Sequence, residues 1–163
     1  PSDAIRNSDV WDGYQANRNR IFDFIEAHAI NNVVVLTGDI HSSWALDVPR
    51  DPWNGYHPTT GRGSLAVEYV TPAVTSPSQF TDRPNEADAA RAARMASSPH
   101  LKFVDQVHRG YFILDITPER AQADWFFVET ISQRSSRERF VAGYYTRDGA
   151  NHLTEADGPV ATR

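Results

Sequence analysis

Apolar side chains spaced three and four residues apart mark the first element of this chain. They recur from Trp11 to about Ala29, and this spacing predicts an amphipathic helix. An Asn-Asn pair ends the pattern, and residues 33–36 form a continuous apolar, largely β-branched run. Such a run is typical of a strand that is buried on both faces of an α/β sheet. The run stops at residues 37–41, Thr-Gly-Asp-Ile-His, so the pattern predicts helix, strand and then a Gly-Asp turn.

The remainder of the chain is predicted to be strand-rich after residue 60. Residues 47–63 contain three prolines and three glycines and predict a long loop. A second helix is predicted over residues 85–97, with Pro84 near its first turn. Two hairpins are expected, one turning at residues 117–120 and one after Asp148-Gly149. The predicted strands lie at residues 64–71, 101–104, 110–116, 121–128 and 139–146.

Composition narrows the class of protein without identifying it. The chain has 163 residues, of which 40% are apolar and 23% charged, with a net charge of -5. This is ordinary globular composition for one domain, or for one half of a larger layered domain. No apolar run approaches the roughly 20 residues that a membrane span needs. The acidic balance and the lack of a Lys/Arg stripe argue against a nucleic-acid binding surface. The absence of cysteine excludes disulfides, thiolate metal ligands and a cysteine nucleophile within this chain.

Asp39 and His41 are the strongest candidates for chemistry. They follow the apolar strand, and ligands of open α/β sheets collect at the carboxyl ends of strands. In extended backbone, residues two apart point to the same side, so a carboxylate and an imidazole are expected to face one space. Together they form half of a metal site, although a loop cap with a hydrogen-bonded histidine explains the same pattern. A serine nucleophile at Ser42 or Ser43 is disfavoured, because no Gly-x-Ser-x-Gly elbow surrounds either residue.

Several further blocks of residues occur in a fixed order between about residues 9 and 130. They are Trp11-Asp12-Gly13-Tyr14, Arg20, residues 33–44, residues 68–77, residues 100–105, Arg109-Gly110-Tyr111, the Thr-Pro-Glu hairpin at residues 117–119 and Asp124-Trp125. Together these blocks resemble the alkaline phosphatase D (PhoD-like) family of calcineurin-like metallophosphoesterases. In that superfamily the corresponding motif reads Gly-His-x-His, and the aspartate of Gly38-Asp39-Ile40-His41 is typical of the PhoD-like branch.

The resemblance implies a fold, an activity and a set of cofactors. The fold is a four-layer α/β/β/α metallophosphoesterase sandwich, of which residues 1–163 are the C-terminal portion of a single domain. The activity is metal-dependent hydrolysis of phosphomonoesters and phosphodiesters by in-line attack of a metal-bound hydroxide. The cofactors are iron(III) and calcium, with His41 on the iron and Asp39 on the calcium side. Relatives of this kind are usually exported, so a periplasmic or secreted enzyme is expected.

The remaining metal ligands of the family come from segments upstream of the matched blocks. They include aspartates, an asparagine, a tyrosine and a cysteine, and this chain has no matching blocks for them. The resemblance therefore predicts that the upstream half of the same enzyme completes the site. One alternative is a non-catalytic fragment or binding module that retains the fold without a complete metal cluster. Another is a sugar- or nucleotide-binding α/β domain in which Asp39 binds hydroxyl groups.

Two further side chains are candidates for contacting a phosphate-ester substrate. Trp44 follows the Asp39–His41 pair and is expected either to wall the site or to be an ordinary core tryptophan. Arg109 precedes a predicted strand and is expected either to hold phosphate oxygens bidentately or to form a structural ion pair. His108, its neighbour, has the same two interpretations.

Overall fold

The computed structural model describes residues 10–161 of the chain. Within them the elements are, in order, a 3₁₀ turn (Trp11–Tyr14), helix α1 (Gln15–Ala27), strands β1 (Val34–Thr37), β2 (Ser43–Pro49) and β3 (Ser64–Val70), helix α2 (Pro84–Ser97), and strands β4 (Leu101–Asp105), β5 (Gly110–Ile116), β6 (Arg120–Val128), β7 (Glu138–Arg147) and β8 (Thr154–Glu155). Both predicted helices and all the predicted strands are confirmed to within a few residues.

The strands form two four-stranded sheets. The first has the order β1-β3-β2-β4, with β1 parallel to β3 and the other two pairings antiparallel. The second has the order β5-β6-β7-β8 and is antiparallel throughout. Its first hairpin closes where the Thr117 N–H donates to the Arg120 carbonyl at 2.9 Å, as the Thr-Pro-Glu-Arg segment predicts. The mixed α/β, strand-rich class is therefore confirmed.

The hydrophobic core lies between the two sheets. Trp125 on β6 is 0% exposed, and its ring lies 5.9 Å from that of Tyr69 and 5.3 Å from that of Phe103, both in the first sheet. Two hydrogen bonds cross the same layer: the Tyr69 hydroxyl donates to the Ala121 carbonyl at 3.0 Å, and the Trp125 indole donates to the Val70 carbonyl at 3.1 Å. Edge-to-face and tilted aromatic contacts and satisfied polar groups together fix the spacing of the sheets.

Helix α2 packs on the outer face of the first sheet. Trp44 on β2 points away from the core, because its neighbour Ala45 is a core residue and side chains alternate along a strand. Arg94 of α2 lies over the Trp44 ring at 5.3 Å, so α2 lies on the face opposite the second sheet. Helix α2, the first sheet and the second sheet thus form three successive layers. The fourth layer stays a prediction.

A buried carboxylate joins the first sheet to the end of the second. Asp47 on β2 is 0% exposed and accepts hydrogen bonds from the Tyr56 hydroxyl at 2.7 Å and the Leu153 N–H at 2.8 Å. The His152 Nδ1 lies 2.6 Å from the same carboxylate, and the Lys102 ammonium is 3.7 Å away. These contacts satisfy a charge that would be costly to bury alone.

Two expectations from the sequence are wrong. Residues 33–36 are not buried on both faces: residues 33–35 are half-buried and Leu36 is 56% exposed. Strand β1 is also an edge strand of the sheet formed by the described residues. The predicted loop begins too early, since residues 47–49 belong to β2, whose residues alternate between buried and half-buried. That alternation is the period-two signal of a strand.

Neither helix within residues 10–161 has the length and apolar character required to cross a bilayer.

Replacing Trp125 by phenylalanine is expected to lower the free energy of unfolding by about 2 kcal/mol or more, because the smaller ring leaves a cavity and the Val70 carbonyl loses its donor. Urea denaturation followed by circular dichroism measures the change. Ile116→Ala is the matched control, since Ile116 is 67% exposed, and its effect is expected within about 0.5 kcal/mol. Equal effects of the two substitutions would contradict the assigned core.

Candidate functional site

Most of the residues singled out from the sequence lie at one end of the first sheet. Strands β1, β3 and β4 end there and β2 begins there, as the pairings Thr37 with Val70, Trp44 with Val70 and Ser43 with Asp105 require. The loops of residues 38–42, 71–77 and 106–109 therefore meet at this end. The first carries the Asp39–His41 pair and the third carries Arg109, so the sheet brings both to one edge of the molecule.

The backbone of the Asp39–His41 turn is not extended. Asp39 has a φ of 70° and His41 a φ of 56°, and the Ile40 N–H donates to the Gly38 carbonyl at 2.8 Å. The expectation of two side chains aligned by extended geometry is therefore wrong. Since β1 and β2 run in opposite directions on either side of β3, five residues must reverse the chain and cross one strand. Left-handed conformations at non-glycine residues are uncommon and tend to concentrate at functional sites.

The imidazole of His41 is held by backbone. Its Nδ1 lies 3.1 Å from the Pro77 carbonyl oxygen. A carbonyl only accepts, so Nδ1 donates and Nε2 is the unprotonated nitrogen of the neutral ring. A histidine that donates one N–H to a carbonyl while its other nitrogen stays available is the usual arrangement of a metal ligand.

Asp39 complements the imidazole with an exposed carboxylate. No hydrogen bond or ion pair joins its side chain to another residue in the part of the chain that the structure describes. Across residues 10–161 no group of three or more His, Cys, Asp or Glu side chains is placed to hold a metal ion. His41 and Asp39 are thus two candidate donors, an imidazole nitrogen and a carboxylate oxygen, carried by one turn at the end of the first sheet.

Arg109 is bound to backbone in the loop that follows β3. Its Nε donates to the Thr75 carbonyl at 2.9 Å and to the Ser76 carbonyl at 3.2 Å. The next carbonyl along this loop, that of Pro77, is the one that receives the His41 N–H. Arg109 and His41 therefore bind neighbouring carbonyls of one segment.

The loop that carries Arg109 is itself fixed by Asp105. One carboxylate oxygen accepts the N–H groups of Val107 at 3.0 Å and His108 at 2.8 Å, and the other lies 2.8 Å from the His108 Nδ1. The His108 ring stacks on the buried Phe127 at 5.0 Å. Burial alone would raise the pKa of Asp105, but the hydrogen bonds from His108 and Val107 and the nearby His108 charge together hold it below its usual value.

Trp44 and the two serines are occupied in local packing. The Trp44 indole donates to the Ser42 hydroxyl at 2.7 Å, and its ring lies beneath the Arg94 guanidinium. Ser42 is 2% exposed and Ser43 is 0% exposed. Buried hydroxyls cannot meet a substrate, which agrees with the expectation that neither serine is a nucleophile. The role of Trp44 as a wall of the site stays a prediction.

Comparison with known proteins identifies the family of the chain that carries these residues. A model of the family described as PhoD-like phosphatase matches residues 2–125. The chain belongs to the PhoD-like phosphatase family. It is 34% identical over 141 residues to alkaline phosphatase D of Bacillus subtilis (strain 168), an alignment that covers 84% of the chain and 22% of that protein. The solved structure of a protein named PhoD superposes with a TM-score of 0.73 at 27% identity, covering 93% of this chain and 27% of that one.

The resemblance read from the sequence blocks is thereby confirmed at the level of the family and of the fold. The chain spans between a fifth and three tenths of the length of these two PhoD relatives. The family match includes the turn with Asp39 and His41, the Pro77 loop and Arg109.

Sequence reasoning did not identify the role of Glu68 in this PhoD-like sheet end. Its side chain accepts a hydrogen bond from the Thr37 hydroxyl, immediately before the Gly38 turn. Burial raises the pKa of Glu68, against the lowering effect of that hydrogen bond. The available signal was a single charged residue inside the otherwise apolar strand β3. Hydrogen bonds to the carbonyls of residues 75–77 had no side-chain signal at all.

Asp105→Asn is expected to lower the free energy of unfolding at neutral pH by about 2 kcal/mol, since a charged acceptor of three hydrogen bonds is lost. Because folding lowers the pKa of Asp105, its contribution is complete above the unfolded value of about 3.9 and is lost as the pH falls through the lower folded value. Urea titrations from neutral pH downward should therefore show the difference from wild type shrinking in acid.

The exposed Asp82 offers a matched control, because Asp82→Asn removes the same charge without these contacts. A difference between Asp105→Asn and wild type that stays constant into strong acid would contradict the assigned role of the ionised carboxylate.

Proposed function

We propose that this chain forms part of a metal-dependent phosphatase that hydrolyses phosphomonoesters or phosphodiesters. The observation that carries the proposal is the His41 imidazole, whose Nδ1 is bound by the Pro77 carbonyl so that Nε2 is available to a ligand. Membership of the PhoD-like phosphatase family and the similarity to alkaline phosphatase D support the same reaction class.

The donors present fit a cation. An imidazole nitrogen and a carboxylate oxygen suit a borderline or hard metal ion, which agrees with iron(III) at His41 and calcium on the Asp39 side. Bound cations would supply positive charge to the phosphate oxygens and lower the pKa of coordinated water. In this proposal Asp39 and His41 hold the cations, and the tight turn between them keeps both side chains at the sheet end.

The rest of the coordination shell is proposed to come from a longer polypeptide. Residues 10–161 contribute two donors, and the chain spans 22% and 27% of the two PhoD relatives. The outer edge of β1 has no strand partner among the described residues. Three apolar side chains are exposed: Leu36 on β1 itself, Ile40 in the turn that follows it, and Phe24 on α1. An unpaired edge beside exposed apolar side chains is a surface that another strand would complete. We propose that the upstream half of the same enzyme supplies that strand and the missing ligands. A periplasmic or secreted location is proposed on family membership alone.

A second candidate function is a binding module that keeps the fold without a complete metal cluster. The lack of any group of three potential ligands within residues 10–161 favours it. Such a module would neither hydrolyse phosphate esters nor respond to a chelator.

Asp39→Asn and His41→Ala in the complete enzyme are each expected to reduce kcat for an aryl phosphate ester by roughly 100-fold or more, because each removes a proposed metal ligand. Elemental analysis should show loss of bound metal in parallel. Asp82→Asn and His57→Ala change the same residue types at exposed positions and are expected to retain activity. Near-normal turnover of either site variant would refute the assignment.

Removal of metal separates the two candidate functions. Prolonged dialysis against EDTA is expected to abolish hydrolysis and to lower the midpoint temperature of thermal unfolding. The reason is that a ligand whose free concentration is 100 times its Kd stabilises the folded state by about 2.7 kcal/mol. Restoring iron and calcium should reverse both effects. An unchanged melting curve and no hydrolysis before or after treatment would favour the binding module.

A further inference from the structure

We propose that Arg109 is a positioning residue that fixes the tautomer and orientation of His41 through the loop of residues 75–77. The inference rests on the proposed function in one respect, namely that His41 holds a metal ion.

Three successive carbonyls carry the argument. Those of Thr75 and Ser76 accept from Arg109 Nε at 2.9 and 3.2 Å, and that of Pro77 faces His41 Nδ1 at 3.1 Å. Residues 71–77 belong to no helix or strand, and Thr75 and Pro77 are exposed. The Thr71 N–H extends the pairing with β1 to the Thr37 carbonyl, and Pro72 is buried. Further along the loop, residues 75–77 take their position mainly from specific polar contacts. On the Arg109 side the Gly110 N–H adds a bond to the Ala73 carbonyl at 3.1 Å.

Arg109 stands on a rigid base. Asp105 holds the preceding residues through the Val107 and His108 N–H groups. The following residue, Gly110, lies so close to β6 that an added Cβ would stand 2.0 Å from the Phe126 carbonyl oxygen. With both neighbours fixed, the backbone of Arg109 has a defined position, and the two hydrogen bonds of Nε hold the side chain against the loop. The fixed backbone of the β4–β5 connection thereby restrains, through Arg109, the position of the Pro77 carbonyl.

The chemical consequence concerns which nitrogen of His41 faces the metal. A carbonyl at Nδ1 keeps the proton there and leaves Nε2 unprotonated. If the loop moves, Nδ1 loses its acceptor, the ring samples both tautomers and rotates, and fewer molecules present Nε2 correctly. The guanidinium also carries positive charge next to the carbonyl oxygens of residues 75 and 76, whose dipoles converge on the same N–H.

The test compares Arg109→Ala, Arg109→Lys and wild type in the complete enzyme. Arg91→Ala is the control, since Arg91 is an exposed arginine of α2 that pairs with Asp88. Three experiments are made on each variant. The first measures the iron and calcium retained in dialysis against graded EDTA, the second measures kcat and KM for an aryl phosphate ester, and the third measures the ¹⁵N chemical shifts of the His41 ring. The shifts are recorded on metal-free, ¹⁵N-histidine-labelled enzyme and assigned with His41→Ala.

Arg109→Ala is expected to weaken metal retention and lower kcat by roughly 10- to 100-fold, the usual cost of losing a group that orients a ligand, with KM changed less than about twofold. Its His41 shifts should move from a single Nδ1–H tautomer toward a mixture. Arg109→Lys should restore part of both, because its ammonium also donates to carbonyls. Arg91→Ala should match wild type.

A rise in KM with unchanged metal retention and an unchanged His41 tautomer would overturn the proposal and make Arg109 a phosphate ligand. If wild type itself retains no metal and hydrolyses nothing, the proposed function fails. The ring-nitrogen shifts of the metal-free protein then decide the positioning role on their own.

Discussion

The hydrogen bond from the Trp125 indole to the Val70 carbonyl connects the centre of the core to the sheet end that carries Asp39 and His41. Trp125 is buried among aromatic rings of both sheets, and Val70 is the last residue of β3, paired with Thr37 and Trp44. The loop of residues 71–77 leaves the sheet directly after this anchored carbonyl. The spacing of the two sheets therefore sets the starting point of the loop that holds His41. A change in the packing of the core would displace this loop and with it the His41 side chain.

Local patterns were sufficient for the elements because each depends on neighbouring residues. The spacing of apolar residues in α1, Pro84 at the start of α2 and the turn at residues 117–120 all act within a few positions. Strand β2 is the exception and was not predicted at all, because a strong turn signal at residues 37–41 concealed the alternation that follows. The burial of β1 was misjudged since a strand's exposure depends on what lies beside it, which its own sequence does not encode.

At the candidate site, the sequence proposed the side chains and the structure supplied their contacts. Asp39 and His41 were found from a motif, but their left-handed backbone follows from the need to cross β3 in five residues. The contacts that orient His41 and Arg109 end on main-chain carbonyls more than thirty residues away in sequence. Any residue type supplies such a carbonyl, so composition carries no trace of them. Family membership indicates the class of protein, whereas these backbone contacts determine how His41 and Arg109 are oriented in this chain.

The buried Asp47 has a consequence for the order in which the molecule assembles. Its partners Tyr56, His152 and Leu153 lie 9, 105 and 106 positions further along the chain. Tyr56 and the Lys102 ammonium are nearer in sequence, so Asp47 gains its full set of partners only when residues 152 and 153 are in place. Contacts of such long sequence separation are typical of slow-folding topologies. A chain cut before His152 would leave the buried carboxylate with Tyr56 and Lys102 alone.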